Sequence, residues 1–163
     1  MRIKSWIVAP VLFSAIGCGV NSSVKVTNNA INSNANAQTH AFDSNEPPSI
    51  KTLVVPANAG WVKTGVEIDN RRKFMIRADG DWSTGKENCP PIGCTTHDQK
   101  NIVPEAGSGA LIAIVGTEKF FVGDRYIFEN GPLAGELLLS INDLPNAFAD
   151  NKGSVEVTIW YSP

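Results

Sequence analysis

From Lys51 to Pro163 the chain is a succession of short runs rich in β-branched and aromatic residues, punctuated by Gly, Asn, Asp and Pro: "TLVVPA", "GWVKTGVEI", "KFMIRADGDW", "GALIAIVG", "KFFVG", "RYIFE", "GELLLSIND" and "SVEVTIWYS". Several alternate strictly. Phe74 and Ile76 share one face of their run, and Val155, Val157, Ile159 and Tyr161 share one face of the last, which is the period-two pattern of a half-buried strand. No window carries a convincing helical period. About eight strands at close spacing predict an all-β fold, a small antiparallel β-sandwich of jelly-roll type over residues 51–163. With 42% hydrophobic residues, such a domain has enough apolar surface for one sizeable core.

The stretch before it has a different character. "MRIKSWIVAPVLFSAIGC" opens with Arg2 and Lys4, continues as an apolar run from Trp6 to Ile16 and ends in small residues before Cys18. The apolar run is too short for a resident membrane span and reads as an export signal, residues 1–17. Its end, Ala15-Ile16-Gly17-Cys18, resembles the lipobox of bacterial lipoproteins, with Cys18 as the lipidated residue. The competing reading is ordinary signal cleavage with Cys18 left as a free thiol. Two or three acyl chains, at roughly 0.8 kcal/mol per buried methylene, would anchor the chain durably to a membrane where one would not. Residues 18–50 are Asn/Ser-rich with little periodicity and end in "EPPSI". They read as a flexible tether with an r.m.s. span of about 30 Å. The expected location is therefore the envelope of the producing cell, as an exported lipoprotein of the outer membrane.

Charge and motif content narrow the function classes. The net charge is −2 and the longest basic cluster is "RRK" at Arg71–Lys73, so no nucleic-acid partner is expected. Of the two histidines, His40 lies in the tether. No Ser stands in a nucleophile elbow and no phosphate-cradling Gly-rich turn is present. A carboxylate pair for glycoside hydrolysis is spatial and stays open, but the reading is a binding protein and not an enzyme.

Cys89 and Cys94 stand in "CPPIGC". In an exported chain a Cys pair is most simply a disulfide. Its short loop would stabilise by only about 2 kcal/mol on the chain-entropy model, so its role would be local shaping. The rival is a zinc site of Cys89, Cys94, His97 and Asp98.

One loop concentrates hard oxygen donors. "SINDLPNAFADNKGS" sets Asn142-Asp143 and Asp150-Asn151 on either side of a Leu-Pro turn between two strand candidates. Asp and Asn oxygens suit Ca²⁺, which takes six to eight such ligands. Asn, Asp, Gly and Pro are also the ordinary residues of loops, and the spacing is not that of an EF-hand.

A resemblance favours the cation. "GALIAIVG", then "FFVG", then "GELLLSIND.P....DNKGSVEVTI" is similar to the PA-IL-like family of bacterial galactophilic lectins. The similarity runs from about Leu53 to Ile159, is specific in the C-terminal third and is weak from Lys86 to Gly107. The resemblance implies one Ca²⁺ held by the side chains of Asp143, Asp150 and Asn151 and by the backbone carbonyls of Ala147 and Thr84. Two vicinal sugar hydroxyls would complete seven or eight ligands. Asp143 and Asp150 would accept hydrogen bonds from those hydroxyls, and Leu144 would offer a carbonyl. Family members more often carry Asn where this chain has Asp150, a change expected to tighten calcium and alter sugar preference. His97 and Gln99 in "THDQK" stand for the family's His and Gln on the outer hydroxyls. Gln99 falls in register counted back from Gly109, and His97 is displaced by one residue. The resemblance thus implies calcium-dependent binding of galactose or a galactoside, with an oligomer compatible with it. The alternative is a structural or adhesion lipoprotein in which calcium stiffens the sandwich and the partner is a protein.

Overall fold

The computed structural model describes residues 47–70 and 73–162; the expected signal segment, Cys18 and most of the tether lie outside them. Among the described residues there are ten strands and no helix. One sheet holds β1 (Ser49–Pro56), β3 (Phe74–Asp79), β4 (Trp82–Ser83), β5 (Asn88–Cys89), β8 (Arg125–Phe128) and β10 (Lys152–Tyr161). The other holds β2 (Val62–Ile68), β6 (Leu111–Val115), β7 (Glu118–Phe121) and β9 (Gly135–Ile141) in the order β2-β9-β6-β7. Every pairing is antiparallel. Each of the eight runs marked in the sequence contains a strand. β5 was not among them, because two residues are too few to show a period, and β1 takes its first two residues from the stretch read as tether.

The two sheets pack face to face through the alternation seen in the sequence. Val55, Phe74, Ile76, Trp82, Val155, Val157 and Ile159 from the first sheet meet Val66, Leu111, Val115, Leu137, Leu139 and Ile141 from the second in one buried cluster. Each such side chain contributes about 1.5–3 kcal/mol by leaving water. A smaller core lies outside the four-stranded sheet. Ile112, out of phase with Leu111 and Ala113, packs with Val103, Ala106 and Ala110 of the connection before β6 and is flanked by Trp61 and Ile102.

β10 is the axis of the six-stranded sheet. It pairs with β1 on one side and with β3 on the other. Beyond β3 the chain bends at Gly80, which has φ of 108°, and β4 resumes on β10 in the same register, Trp82 opposite Gly153 and Ser83 opposite Lys152. That resumption carries Thr84 and Gly85 up beside the Asp150-Asn151 pair that precedes β10.

Candidate functional site

Three connections meet at one end of the sandwich: the loop between β9 and β10, the turn between β4 and β5, and the long connection between β5 and β6. The β9–β10 loop crosses from one sheet to the other, and its ends are anchored in both. At the β9 end, Asn142 N donates to Ala110 O at 2.7 Å and Gly109 N donates to Asn142 O at 2.8 Å. Within the loop, Ala147 N donates to Leu144 O at 3.0 Å and Asn151 N to Phe148 O at 3.2 Å. Beneath lies Trp82, fully buried, its indole N–H donating to Gly109 O at 2.6 Å.

These connections enclose a cleft of about 320 Å³ whose lining includes Thr84, His97, Asp143, Leu144, Ala147 and Asp150. Six of the positions named from sequence are thus brought to one cavity from three separate segments. Four carboxylates border it, Glu87, Asp98, Asp143 and Asp150, against Lys86 and His97, so the field inside favours a cation. One oxygen of Asp143 accepts the Leu144 amide at 2.7 Å, which fixes the carboxylate and leaves its second oxygen available. Asp150 folds toward the β4–β5 turn, close against Gly85.

Asn151 sits next to this cleft without lining it. It is 3% exposed, its amide nitrogen donates to Ala57 O at 3.3 Å, and its Oδ1 is buried with no hydrogen-bond partner among the described residues. Leaving a buried acceptor unpaired costs about 1–3 kcal/mol. A buried oxygen in that state, on the residue that follows Asp150 in the chain, is what a hard cation would satisfy. The donor set is all oxygen, as Ca²⁺ requires, so the residues fit the ion that the resemblance implies.

Gln99 differs from expectation: it is exposed and does not line the cleft. The reason is local. Asp98 accepts the Lys100 amide on its side chain at 2.9 Å and the Asn101 amide on its carbonyl at 3.0 Å, a tight turn that carries Gln99 on its outside. Asp98, Thr96 and Asn101 border the cleft instead. From sequence Asp98 is a candidate zinc ligand only, and spacing alone could not find Thr96 and Asn101, because the turn sets which residues of "TTHDQKN" face inward.

Asn142 also has a role that the sequence hid in a donor pair. Its side chain accepts Val103 N at 2.9 Å and donates to Val103 O, Ala106 O and Gly107 O at 2.9–3.1 Å. Fully buried, it is committed to clamping the connection that forms the cleft wall. Its period-two phase with Ser140 and Leu138, out of step with Leu137, Leu139 and Ile141, is the signal that assigns it to the outer face.

Cys89 and Cys94 form a disulfide with Cα atoms 5.1 Å apart. Glu87 lies near both sulfurs, but bonded sulfurs are not thiolates, and the zinc alternative with His97 and Asp98 is thereby removed. The bridge sets the wall: Cys94 N donates to Ser108 O at 2.8 Å, Ser108 N donates to Thr96 O at 2.7 Å, and the Thr96 hydroxyl donates to Glu87 Oε1.

Comparison with known proteins agrees with this architecture. The family model described as PA-IL-like protein matches residues 50–162. The chain is 32% identical over 118 residues to Lectin A of Photorhabdus laumondii subsp. laumondii, covering 67% of this chain and 93% of that protein. Among solved structures it resembles the N-terminal domain of EclA, a PllA-like lectin, with a TM-score of 0.57 and 26% identity over 69% of this chain and 96% of the other. With its sandwich, its disulfide and its crossing loop, the chain belongs to the PA-IL-like family of lectins.

Proposed function

We propose that the protein binds carbohydrate through this cleft, with calcium as the bridging ion and galactose or a galactoside as the sugar. The observation that carries the reading is the meeting of Thr84, Asp143, Ala147 and Asp150 on one acidic cleft beside the unpartnered Oδ1 of Asn151. Asp143, Asp150 and Asn151 would hold the ion by side chains, Thr84 and Ala147 by carbonyls. Bound there, calcium supplies a hard centre whose coordination two adjacent hydroxyls complete.

The protein's own groups do the selecting. The free oxygen of Asp143 and the Asp150 carboxylate accept hydrogen bonds from the hydroxyls, each worth roughly 1.5–3 kcal/mol because the acceptor is charged. A carboxylate only accepts, so a hydroxyl that donates is preferred at Asp150. His97, Thr96 and Asp98 also line the cleft and would meet the remaining hydroxyls. A volume of about 320 Å³ is at the small end of ligand sites, about 300–1,000 Å³, which suits one sugar ring. Nothing in this reading calls for turnover. The Cys18 lipid and the tether of residues 18–50 would display the domain at a membrane surface.

The test is retention of the protein on immobilised galactose in calcium, with release by free galactose and by chelator. Asp143→Ala should abolish retention and weaken calcium binding by calorimetry. Calcium binding without retention on any sugar would instead favour the structural lipoprotein with a protein partner.

A further inference from the structure

A second recess, of about 260 Å³, opens on the other side of the same loop and is lined by Trp61, Ile102, Pro145, Asn146 and Phe148. Asn101 borders both recesses, and Leu144 of the first is followed in the chain by Pro145 of the second. With consecutive Cα atoms about 3.8 Å apart, the two spaces adjoin across one residue. Their chemistry differs: four carboxylates border the first, whereas the second is lined by apolar side chains, the amides of Asn101 and Asn146 and one cation, Lys119.

The recess is built from fixed parts. Ile102 N donates to Asp143 O at 3.1 Å, which ties its wall to the loop that carries the cleft. The turn closed by Ala147 N on Leu144 O projects Pro145 and Asn146, and Asn146 has a φ of 68°, alone among non-glycine described residues in being positive. Asn takes that conformation at less cost than other side chains. Trp61 is packed on the small outer core. Gly60, with φ of 63°, leaves room for the Phe148 ring, which lies 3.6 Å from where a Cβ would stand.

Resting on the carbohydrate reading above, we infer that Trp61, Ile102, Pro145 and Phe148 form a subsite for the second sugar ring of a galactose-terminated glycan whose terminal ring occupies the acidic cleft. Aromatic and aliphatic surfaces accept the C–H face of a ring by dispersion and burial, while Lys119 and the amides of Asn146 and Asn101, the last already donating to Ser108 Oγ at 2.9 Å, are the polar groups that line it. A recess of about 260 Å³ is of the order of a single ring. The neighbouring cleft supplies the attachment point and the direction.

Full-length protein in saturating calcium is titrated calorimetrically with methyl galactoside and with a panel of galactose-terminated disaccharides of different linkage. At least one disaccharide should bind about three- to tenfold more tightly than methyl galactoside. Trp61→Ala should erase that advantage and leave the affinity for methyl galactoside unchanged, which also reports that the variant is folded. Phe148→Ala carries the same comparison if Trp61→Ala does not fold. An advantage that survives in both variants, or no disaccharide advantage in the parent, overturns the subsite while methyl galactoside binding stands. A parent that binds no sugar ends the carbohydrate reading and the subsite together.

Discussion

Gly85 and the Asp150 carboxylate lie in such close apposition that a Cβ on Gly85 would stand 2.6 Å from Asp150 Oδ2 and 2.9 Å from its carboxyl carbon. Gly85 also holds φ of 80°, a left-handed conformation that costs about 1–2 kcal/mol for other L-residues. Bare backbone at this point lets the carboxylate settle beside the turn carrying the Thr84 carbonyl. Gly85→Ala should lower unfolding free energy by about 1 kcal/mol in chelator and displace Asp150. Calcium affinity should fall about tenfold, and calorimetry showing parental affinity would mean that Asp150 is not a ligand.

Asn151 gives a second measurement independent of sugar. A ligand that binds the folded state at a hundred times its Kd stabilises it by about 2.7 kcal/mol, several degrees in Tm for a domain of this size. Calcium should therefore raise the parent's Tm. Removing the unpartnered Oδ1 in Asn151→Ala should cut that rise to less than half. An equal rise in both proteins would place the calcium elsewhere.

Asn142→Ala breaks the buried clamp on Val103, Ala106 and Gly107 and strands several backbone groups. The expected loss is roughly 3 kcal/mol in urea unfolding. Because the clamp forms the cleft wall, sugar binding should weaken even where calcium binding persists. A change under 1 kcal/mol would show that the connection is held by its apolar contacts alone.

The disulfide should matter more for shape than for stability. Cys89→Ser with Cys94→Ser is expected to cost about 2 kcal/mol, the value for so short a loop. It should leave calcium affinity intact and blunt discrimination among sugars differing at the hydroxyls that face Thr96, His97 and Asp98. Unaltered discrimination on a glycan array would remove the bridge from sugar selection.

Tyr126 should make the protein alkali-sensitive. Its ring stacks on Phe120 at 4.9 Å and meets Phe74 at 6.1 Å, and burial pushes the phenol above its ordinary range. A raised folded-state value means that the native state holds the proton more tightly. The associated stability is complete below the unfolded value of about 10 and is lost as pH rises through the higher folded value. The parent's urea midpoint should decline above about pH 10, and Tyr126→Phe should keep the stack and flatten that decline.

Alternation and β-rich runs placed every strand but the two-residue β5, and alternation placed the inward-facing Phe74, Ile76, Val155, Val157 and Ile159, because a sheet with one buried face writes its period directly into the chain. The candidate donors of the β9–β10 loop stand out for a related reason: Asp143, Asp150 and Asn151 lie within nine residues of one another, so their proximity is local. Tertiary structure alone decided the rest. Thr84 reaches the cleft because β4 resumes the register of β3 on β10, a pairing between residues some seventy positions apart. Asn142 left the donor set because its side chain meets carbonyls of a distant connection, and Gln99 left the cleft because Asp98 closes a turn. The aromatic recess joins Trp61, just before β2, to Phe148 of the β9–β10 loop. Local periodicity carries no information about such contacts, which depend on which connections the packed sheets bring to the same end.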